Sequence, residues 1–332
     1  MLKAIVTLLV AVFVVAIAGA GWMAWFSDQP LALRASPLEV TVQPGSSARS
    51  AARQIAAAGV RMQPWQFELL ARALGQDADL KAGTYVLETG ITARGLLDKL
   101  VRGDVAMTEV VFVEGWTFRQ MREALDAHAH VKHETAGASA ADIMARLGAA
   151  GVAPEGRFFP DTYRFARGTS DLEVLRMAFR AMQRRLEAAW EARADGLPLA
   201  SPDEALILAS IVEKETGRAE DRAVIAAVFV NRLRAGIRLQ SDPTVIYGMG
   251  ERFDGNLRRR DLESDGPYNT YTRAGLPPTP IAMPGLASLQ ATLNPAASDA
   301  LYFVARGDGS SEFSRTLQEH NRAVTKYQRG GR

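Results

Sequence analysis

The sequence predicts an α+β protein with more than one subdomain behind an N-terminal transmembrane helix. Strand and helix patterns alternate in the first half of the 332 residues, helix patterns dominate the middle, and a short strand pattern, LYFVAR, appears near the end. This order, unlike a regular strand–helix alternation throughout, is typical of the α+β class. The length is enough for about two to three domains of ~100–200 residues.

The apolar segment from Ala4 to Phe26 is long enough to cross a membrane. It contains no charged residue, and about 20 residues at ~1.5 Å rise span the ~30 Å hydrocarbon core. Trp22 and Trp25 lie near its end, where interfacial aromatic residues are common. Lys3 precedes the segment and Asp28 follows it, so the positive-inside rule predicts a cytoplasmic N-terminus and places the rest of the chain across the membrane.

A cleaved signal peptide is the alternative interpretation of this segment. Its cleavage site would be Ala18-Gly19-Ala20. The apolar stretch is too long for a signal peptide and continues past that site. We therefore expect an uncleaved anchor over residues 1–27, followed by a linker over residues 28–36.

Composition excludes several kinds of site. The chain has no cysteine, which rules out disulfides, thiol nucleophiles and zinc–thiolate centres. Its formal net charge is +2, which gives no reason to expect a nucleic-acid partner. We expect neither a metal nor another cofactor.

Residues 37–102 are predicted to form a separate subdomain. The sequence LEVTV alternates apolar and polar residues with period two, as a half-buried strand does. Serine or threonine before apolar residues at helical spacing indicates a helix start. The predicted elements are a strand from Leu38, a turn at Pro44-Gly45, a helix capped by Ser46 or Ser47, a helix over residues 64–74, a strand within residues 82–90, and a helix from Thr92 to near Gly103.

Residues 103–332 are predicted to form the larger remaining part. It begins with TEVVFVEGWTF, which echoes the earlier LEVTVQPGSS, because each leads from a strand through a glycine into a capped helix. The echo is too short to indicate a repeat protein. A long helix is expected from Leu172 to Ala194, with its apolar residues on one stripe.

Three histidines lie close together in HAHVKH, which begins at His128. Imidazole groups at this spacing are able to bind a metal ion. No cysteine or carboxylate pattern accompanies them in the sequence, so a solvated connection between helices is the preferred interpretation.

The stretch LILASIVEKET, residues 206–216, raises the main question about function. The sequence SPDE before it predicts a helix start, with serine as the cap, proline in the first position and glutamate completing a capping box. The helix is expected to run from Pro202 to about Thr216. Glu213 and Glu215 then lie in its last turn.

Helical spacing separates these two glutamates. At ~100° per residue, Glu215 falls near the centre of an arc of four apolar residues that begins with Ile207, whereas Glu213 lies about 200° away. Burial on an apolar stripe raises the pKa of a carboxyl group, and a protonated carboxyl suits general acid catalysis of glycosidic cleavage. The alternative is that Glu215 reaches water in the last turn and has no special role. Glu213 is interpreted as a surface or helix-packing residue.

The region after residue 237 is rich in Tyr, Asn, Gln, Asp, Pro and Gly. Loops of this composition present fixed hydrogen-bonding groups and aromatic faces, which suit a hydroxyl-rich ligand. Single residues also have simpler interpretations. Asp242 before Pro243 is able to open a turn, and Tyr247 is able to lie in a core.

Several long motifs follow one another along the chain: EGRFFPDTY, LASIVEKET, VFVNRL, IRLQSDPTVIYGMG and YNTYTRAGLPPTPIAMPG, and then NPA, LYFVA and EHN. In sequence and in order, these motifs resemble those of the YceG-like family of endolytic murein transglycosylases. The resemblance runs from the membrane anchor to His320-Asn321. It implies a single-pass protein of the bacterial inner membrane, with a LysM-like region over residues 37–102 and a periplasmic catalytic domain over residues 103–332.

The resemblance also implies a reaction. The family's catalytic glutamate is the second of its E-K-E motif, here Glu215. It would protonate the leaving oxygen of the β-1,4 bond between N-acetylmuramic acid and N-acetylglucosamine, and would then deprotonate the muramyl C6 hydroxyl. Peptidoglycan synthases are the implied partners, because the family is associated with cutting nascent strands. By motif match, substrate contacts are expected at Glu155, Gln240, Asp242, Tyr268, Asn269, Tyr271 and Asn321.

Two other functions remain open on the sequence alone. A hydrolytic muramidase would need a second carboxylate across the cleft, for which Asp242 and Glu155 are candidates. A non-catalytic glycan-binding regulator of cell-wall synthases would not need Glu215. A muramidase would leave reducing ends on the product strands, whereas a transglycosylase would leave 1,6-anhydro ends. A non-catalytic regulator would differ from both, because Glu215→Gln would leave any cell-wall phenotype unchanged.

Overall fold

The computed structural model describes residues 2–329, and its internal contacts divide the chain into two compact units. The first unit holds the residues up to Thr108 together with Arg164–Thr169, and the second holds Glu109–Tyr163 and the residues from Ser170 onward. The described elements combine helices with two-stranded sheets. The predicted α+β class is therefore confirmed.

The first unit begins with a long apolar helix and continues with short strands and helices. The first helix is, among residues 2–329, the one long and apolar enough to cross a membrane. In order, the elements are α1 (Leu2–Asp28), β1 (Ala32–Leu33), β2 (Leu38–Val42), α2 (Ala48–Ala58), β3 (Val60–Arg61), α3 (Pro64–Ala73), β4 (Gly83–Leu87) and α4 (Ala93–Arg102).

One hydrophobic cluster fills the first unit. β2 pairs antiparallel with β4, and Val40 lies opposite Tyr85, which is fully buried. The Tyr85 hydroxyl donates to the Lys81 carbonyl at 2.6 Å, so this polar group keeps a partner in the core. The alternating burial along β2 and the Ser47 cap, which accepts from the Ser50 N–H, confirm the predicted strand and helix start.

The predicted linker over residues 28–36 contains structure that its sequence does not show. Asp28 still belongs to α1, and β1 pairs antiparallel with β3. A two-residue strand is too short to produce a recognisable alternation. Phe26 and Leu31, which flank the start of this segment, are buried in the cluster, so the segment packs on the first unit.

The second unit is mainly helical. Its first strand, β5, pairs with β6. The elements are β5 (Met107–Val111), α5 (Phe118–Asp126), α6 (Ala140–Arg146), β6 (Thr162–Ala166), α7 (Asp171–Glu191), α8 (Pro202–Glu215), α9 (Ala219–Arg234), α10 (Asp242–Met249), α11 (Arg259–Glu263), α12 (Leu286–Leu293), β7 (Tyr302–Ala305), β8 (Ser311–Ser314) and α13 (Leu317–Val324).

Helix α8 lies at the centre of the second unit. It contacts α7, α9, α10 and α12. Leu206, Ala209 and Ser210 are buried as completely as Leu208 and Ile211, so the single apolar stripe predicted from the sequence is wrong. A helix that is covered on nearly every side is typical of a protein core. The stripe argument by itself therefore did not distinguish Glu215 from Glu213.

The start of α8 differs from the predicted capping box in one bond. Ser201 caps the helix and accepts from the Glu204 N–H at 3.3 Å, as predicted. The Glu204 carboxylate accepts from the Ala200 N–H at 2.7 Å, one residue before the cap. Both bonds still satisfy main-chain donors at the helix start.

The region interpreted as ligand-binding loops contains, within residues 238–329, the four α-helices α10 to α13. Pro243 occupies the first turn of α10, where a missing N–H costs no hydrogen bond. Asp242-Pro243 therefore starts a helix and not merely a turn. The segment between α11 and α12 stays irregular, in agreement with its prolines.

The predicted connection around His128 places one histidine near two carboxylates. His133, Asp126 and Asp171 have possible metal-ligating atoms within 4.8 Å of one another. Asp171 is buried, and its carboxylate already accepts from the N–H groups of Glu134 and Thr135 and from the Thr135 hydroxyl. These bonds give Asp171 a structural role at the start of α7.

Candidate active site

Glu215 is the last residue of α8, and Ser241 holds its carboxyl group. The Ser241 hydroxyl donates to Glu215 Oε1 at 2.5 Å. Ser241 is 1% exposed and lies immediately before α10. Because α8 and α10 pack against each other, this bond joins the ends of two neighbouring helices.

Burial raises the pKa of Glu215 to about 7. The nearby Asp242 carboxylate raises the pKa further, while the Ser241 hydrogen bond and the Arg232 charge oppose the increase. The position at a helix C-terminus also disfavours negative charge. Glu215 is therefore poised to exchange a proton near neutral pH, as a general acid and base must.

Ser241 is the residue of this site that sequence reasoning missed. Serine before a helix normally caps it by accepting from a main-chain N–H. In α10 the Ser241 side chain makes no such bond and donates to Glu215 instead. The Ser241 N–H in turn donates to Thr270 Oγ1 at 3.0 Å. Because the Ser241 side chain does not cap α10 and instead donates to a carboxyl group whose pKa is raised, we infer that it positions Glu215.

Asp242 and Tyr271, two of the predicted contact residues, lie together beside Glu215 and Ser241. The Tyr271 hydroxyl donates to Asp242 Oδ1 at 2.5 Å. Burial, and then the bond to Asp242, raise the pKa of Tyr271, so it stays a donor. Asp242 is exposed, and its charge acts on Glu215. This acidic–phenolic pair therefore offers polar groups at the edge of the site.

Gln240 adopts a backbone conformation that is unfavourable for its residue type. Its φ is +50°, in the left-handed region, where an L-residue costs about 1–2 kcal/mol. Its N–H donates to the Thr270 carbonyl at 3.1 Å, and its side chain is exposed. Strain of this kind next to Ser241 is typical of functional segments.

Asn269 shapes the loop through hydrogen bonds to the main chain. It is 4% exposed, and its amide nitrogen approaches the carbonyls of Leu262 and Ser264 at 3.0 and 2.7 Å. Its side-chain oxygen accepts from the Tyr271 N–H at 2.8 Å. These bonds use both ends of the amide, which favours a structural role for Asn269; its predicted substrate contact stays a prediction.

Glu155 occupies a second polar pocket, at the other end of α10. One carboxylate oxygen accepts from the Phe118 N–H, the first of α5, at 3.0 Å, and the other accepts from the Tyr247 hydroxyl at 3.1 Å. Burial raises the pKa of Glu155 to about 7. The Tyr247 ring packs edge-on against Tyr268, and the Tyr268 hydroxyl bonds Thr279.

This second pocket has a volume of about 470 Å³ and an aromatic and charged lining. Phe118, Arg119 and Arg122 from α5 line it together with Tyr247 and Tyr268. Tyr247 lies five positions after Asp242 along α10, which corresponds to about 7–8 Å of helix. Five of the predicted contacts thus fall into two groups: Gln240, Asp242 and Tyr271 beside Glu215, and Glu155 together with Tyr268.

Asn321 lies in neither group. It is exposed on α13, and its carbonyl accepts from the Thr325 hydroxyl at 2.9 Å. The preceding His320 stacks on the Tyr302 ring, with centroids 5.3 Å apart.

Arg232 supports the segment that carries Ser241. It is 7% exposed, and it donates to the carbonyls of Leu239 and Leu301 at 2.6 and 2.7 Å. Its guanidinium also lies over the Tyr302 ring at 5.2 Å. The buried cation thereby ties the residues just before Ser241 to the start of β7.

Glu213 has a partner on a different segment from that of Glu215. Its Oε2 accepts from the Gly285 N–H at 2.9 Å, at the start of α12. A Cβ on Gly285 would lie 1.9 Å from Glu114 Oε1, so a larger residue there would require the Glu114 side chain to move. The carboxylates of Glu213 and Glu215 therefore bond to different segments, and Glu213 joins α8 to the start of α12.

An open cleft of about 790 Å³ borders Glu215. Its lining comes from the turn between α8 and α9 and from the hairpin between β7 and β8. The Ser311 N–H donates to Asp221 Oδ2 at 2.8 Å, which attaches the hairpin to the first turn of α9. A protonated carboxyl beside open space is able to donate a proton to the leaving oxygen of a bound polymer.

A family model described as the YceG-like family matches residues 40–326. The chain belongs to the YceG-like family. This match confirms the resemblance inferred from the motifs. The crystal structure of a yceG-like protein from Listeria monocytogenes aligns with a TM-score of 0.54 and 29% identity, over 86% of this chain and 99% of that chain.

Curated relatives of this YceG-like chain include proteins named endolytic murein transglycosylase. The one from Bacillus subtilis (strain 168) is 41% identical over 175 residues, which cover 52% of this chain and 48% of that protein. The one from Streptococcus pneumoniae serotype 2 (strain D39) is 29% identical over 283 residues, which cover 75% of this chain and 51% of that protein. The chain thus spans about half the length of these curated relatives.

Proposed function

We propose that this YceG-like protein is an endolytic lytic transglycosylase that cuts the β-1,4 bond between N-acetylmuramic acid and N-acetylglucosamine within peptidoglycan strands. One observation carries the proposal. Glu215 borders an open cleft with its pKa raised to about 7 and a buried serine hydroxyl on its carboxyl group. The names of the relatives from B. subtilis and S. pneumoniae support the same reaction.

A single carboxyl group is enough for this reaction. Protonated Glu215 donates its proton to the leaving glycosidic oxygen as the bond to the muramyl C1 breaks. The resulting carboxylate takes a proton from the muramyl C6 hydroxyl, whose oxygen closes onto C1 and forms a 1,6-anhydro end. The attacking group belongs to the same sugar, so no second carboxylate is needed to activate water. Ser241 stabilises Glu215 in the carboxylate stage.

The substrate contacts follow the two groups of polar residues. Gln240, Asp242 and Tyr271 flank Glu215 and are proposed to bind the sugars on either side of the cut. Glu155 and Tyr268 are proposed to bind a more distant part of the strand, where Tyr247 and Tyr268 offer aromatic faces. Asn269 and Asn321 complete the predicted set.

The composition of the products tests this function. Purified glycan strands are digested with the full chain and analysed by mass spectrometry. Internal 1,6-anhydro ends are the expected result. Reducing ends would instead show a hydrolytic muramidase, with Asp242 or Glu155 as its second carboxylate. If the strands remained intact, neither cleavage activity would be supported, and the non-catalytic glycan-binding regulator would be the remaining function.

Replacing Ser241 with alanine is expected to shift the pH dependence upward. The general acid works protonated, so kcat/KM of the wild type falls as the pH rises through about 7. The Ser241 hydroxyl holds the pKa of Glu215 down, and its loss moves this falling limb to higher pH. Losing one hydrogen bond of about 1 kcal/mol also slows cleavage about fivefold.

The matched control for this prediction is Ser241→Thr, which keeps the hydroxyl. Its pH profile should coincide with that of the wild type. If kcat/KM of Ser241→Ala fell over the same pH range as that of the wild type, the Ser241 hydroxyl would not act on the pKa of Glu215.

Gln240→Gly is expected to separate stability from activity. Glycine adopts a φ of +50° without strain, so the second unit should gain about 1 kcal/mol in its free energy of unfolding. The variant lacks the side chain proposed to bind substrate, so its KM should increase. Denaturant unfolding and steady-state kinetics measure the two effects, and an unchanged KM would remove Gln240 from the substrate contacts.

The cellular setting completes the proposal. α1 is proposed to anchor the protein in the bacterial inner membrane, with a cytoplasmic N-terminus and with residues 103–332 as a periplasmic catalytic domain. Residues 37–102 are proposed to be the LysM-like region. Peptidoglycan synthases are the proposed partners, because the products are ends of nascent strands.

A further inference from the structure

The end of α1 and the start of α3 are joined by stacked aromatic rings. The Trp22 ring stacks on Phe26, with centroids 5.8 Å apart, and on Trp65, with centroids 5.5 Å apart. Phe26 is buried in the core of the first unit, and Met23 packs against the same cluster. The final turns of α1 are therefore part of the folded first unit and not a free tether.

The length of α1 sets the depth of Trp22 in a membrane. About 20 residues at ~1.5 Å rise cross the hydrocarbon core, and counted from Ala4 they end at Met23. Trp22 then lies at the outer boundary of the core, where tryptophan side chains prefer to reside. The centroid of the Trp65 ring is 5.5 Å from that of Trp22, so Trp65 lies within about one helical turn of the same depth.

The outward face of α3 has the chemistry of this boundary. Trp65 and Leu69, one helical turn apart, are 55% and 44% exposed. Arg72 follows on the same face and pairs with Glu68 at 2.8 Å. Helices that lie in a membrane interface combine such an apolar face with basic residues.

The charge beside this face is positive. Arg49 also pairs with Glu68, at 2.9 Å, and Arg53 lies close enough to act on the same carboxylate. Three arginines around one glutamate leave excess positive charge. Anionic lipid headgroups attract such a cluster.

We propose that the exposed face of α3, formed by Trp65, Leu69 and Arg72, lies in the headgroup region of the bilayer that α1 spans. The first unit is thereby held on the membrane surface at two points, α1 and α3. This inference rests on the proposed membrane span of α1.

The experiment uses the absence of cysteine from the chain. Leu69→Cys, Thr41→Cys and Phe13→Cys each carry one environment-sensitive fluorophore on the full-length protein, reconstituted in phosphatidylethanolamine–phosphatidylglycerol vesicles. Position 69 tests the surface, the exposed strand position 41 is the polar control, and position 13 lies near the middle of the span. Lipids with a nitroxide at the headgroup or deep in the acyl chain serve as quenchers.

The expected result is strong quenching at position 69 by the headgroup nitroxide, severalfold above that at position 41, with a blue-shifted emission. The label should lie about 15 Å from the bilayer centre, half the ~30 Å core. The label at position 13 should respond most to the deep quencher.

Three outcomes distinguish the failure of this proposal from the failure of the span. Quenching at position 13 with a water-like signal at position 69 overturns the surface contact and leaves the span intact. A blue shift at position 69 without lipid quenching also overturns it, because another protein copy or a glycan strand would then cover α3. No quenching at position 13 overturns the span and the surface contact together.

Discussion

Glu215→Gln is expected to lower the rate of glycan-strand cleavage by about 10²- to 10⁴-fold, the usual contribution of a general acid–base group. The side-chain oxygen of the glutamine still accepts a hydrogen bond from the Ser241 hydroxyl, so the contact between α8 and α10 remains. It has no proton to donate to the leaving oxygen and cannot take one from the muramyl hydroxyl. The release of 1,6-anhydro ends, measured by mass spectrometry over time, reports the rate.

Glu213→Gln is the matched control, because it makes the same chemical change two residues earlier in the same helix. Its side-chain oxygen still accepts from the Gly285 N–H, so cleavage should stay within a few-fold of the wild-type rate. Equal losses in the two variants would contradict the assignment of Glu215, since they would show that any charge change at the end of α8 is harmful.

Arg232→Met is expected to destabilise the second unit by about 3 kcal/mol. Methionine has a similar length but donates no hydrogen bonds, so the carbonyls of Leu239 and Leu301 lose their partner. Each unsatisfied buried carbonyl costs about 1–3 kcal/mol. Denaturant unfolding of the full chain in detergent, followed by the fluorescence of the second unit, measures the change.

Arg234→Met tests whether the effect depends on burial. Arg234 lies two residues later in α9, is exposed, and donates to the Gly196 carbonyl at 2.9 Å. Surface substitutions of this kind stay within about 0.5 kcal/mol. If the two variants lost equal stability, the network around Arg232 would not be the cause.

Local patterns were sufficient for much of the fold. The period-two alternation of β2, the Ser47 and Ser201 caps, and the end of α8 at Glu215 all depend on residues within one turn or one strand. Helices α10 and α12 were missed because each is eight residues long and mostly apolar. Short apolar runs have no clear helical period.

The projection of α8 shows the limit of such patterns. It selected Glu215 because one apolar arc appeared to pass through that residue, yet α8 is covered on nearly every side. The angle between the two glutamates on the helix predicted that they are not a pair, but it did not predict what each of them contacts. Their partners, Gly285 for Glu213 and Ser241 for Glu215, decide their different environments.

By itself, the sequence determined the apolar span, the α+β class, the YceG-like motifs and the position of Glu215 at a helix end, because these depend on neighbouring residues. Only the tertiary structure decided that Ser241 holds Glu215, that the Asn269 amide fixes its own loop and that Trp65 stacks on Trp22 of α1. The bond to Glu215 joins residues 26 positions apart, and that to Glu213 joins residues 72 positions apart. Separations of this size carry no periodicity in the sequence, because folding in three dimensions sets which distant groups meet.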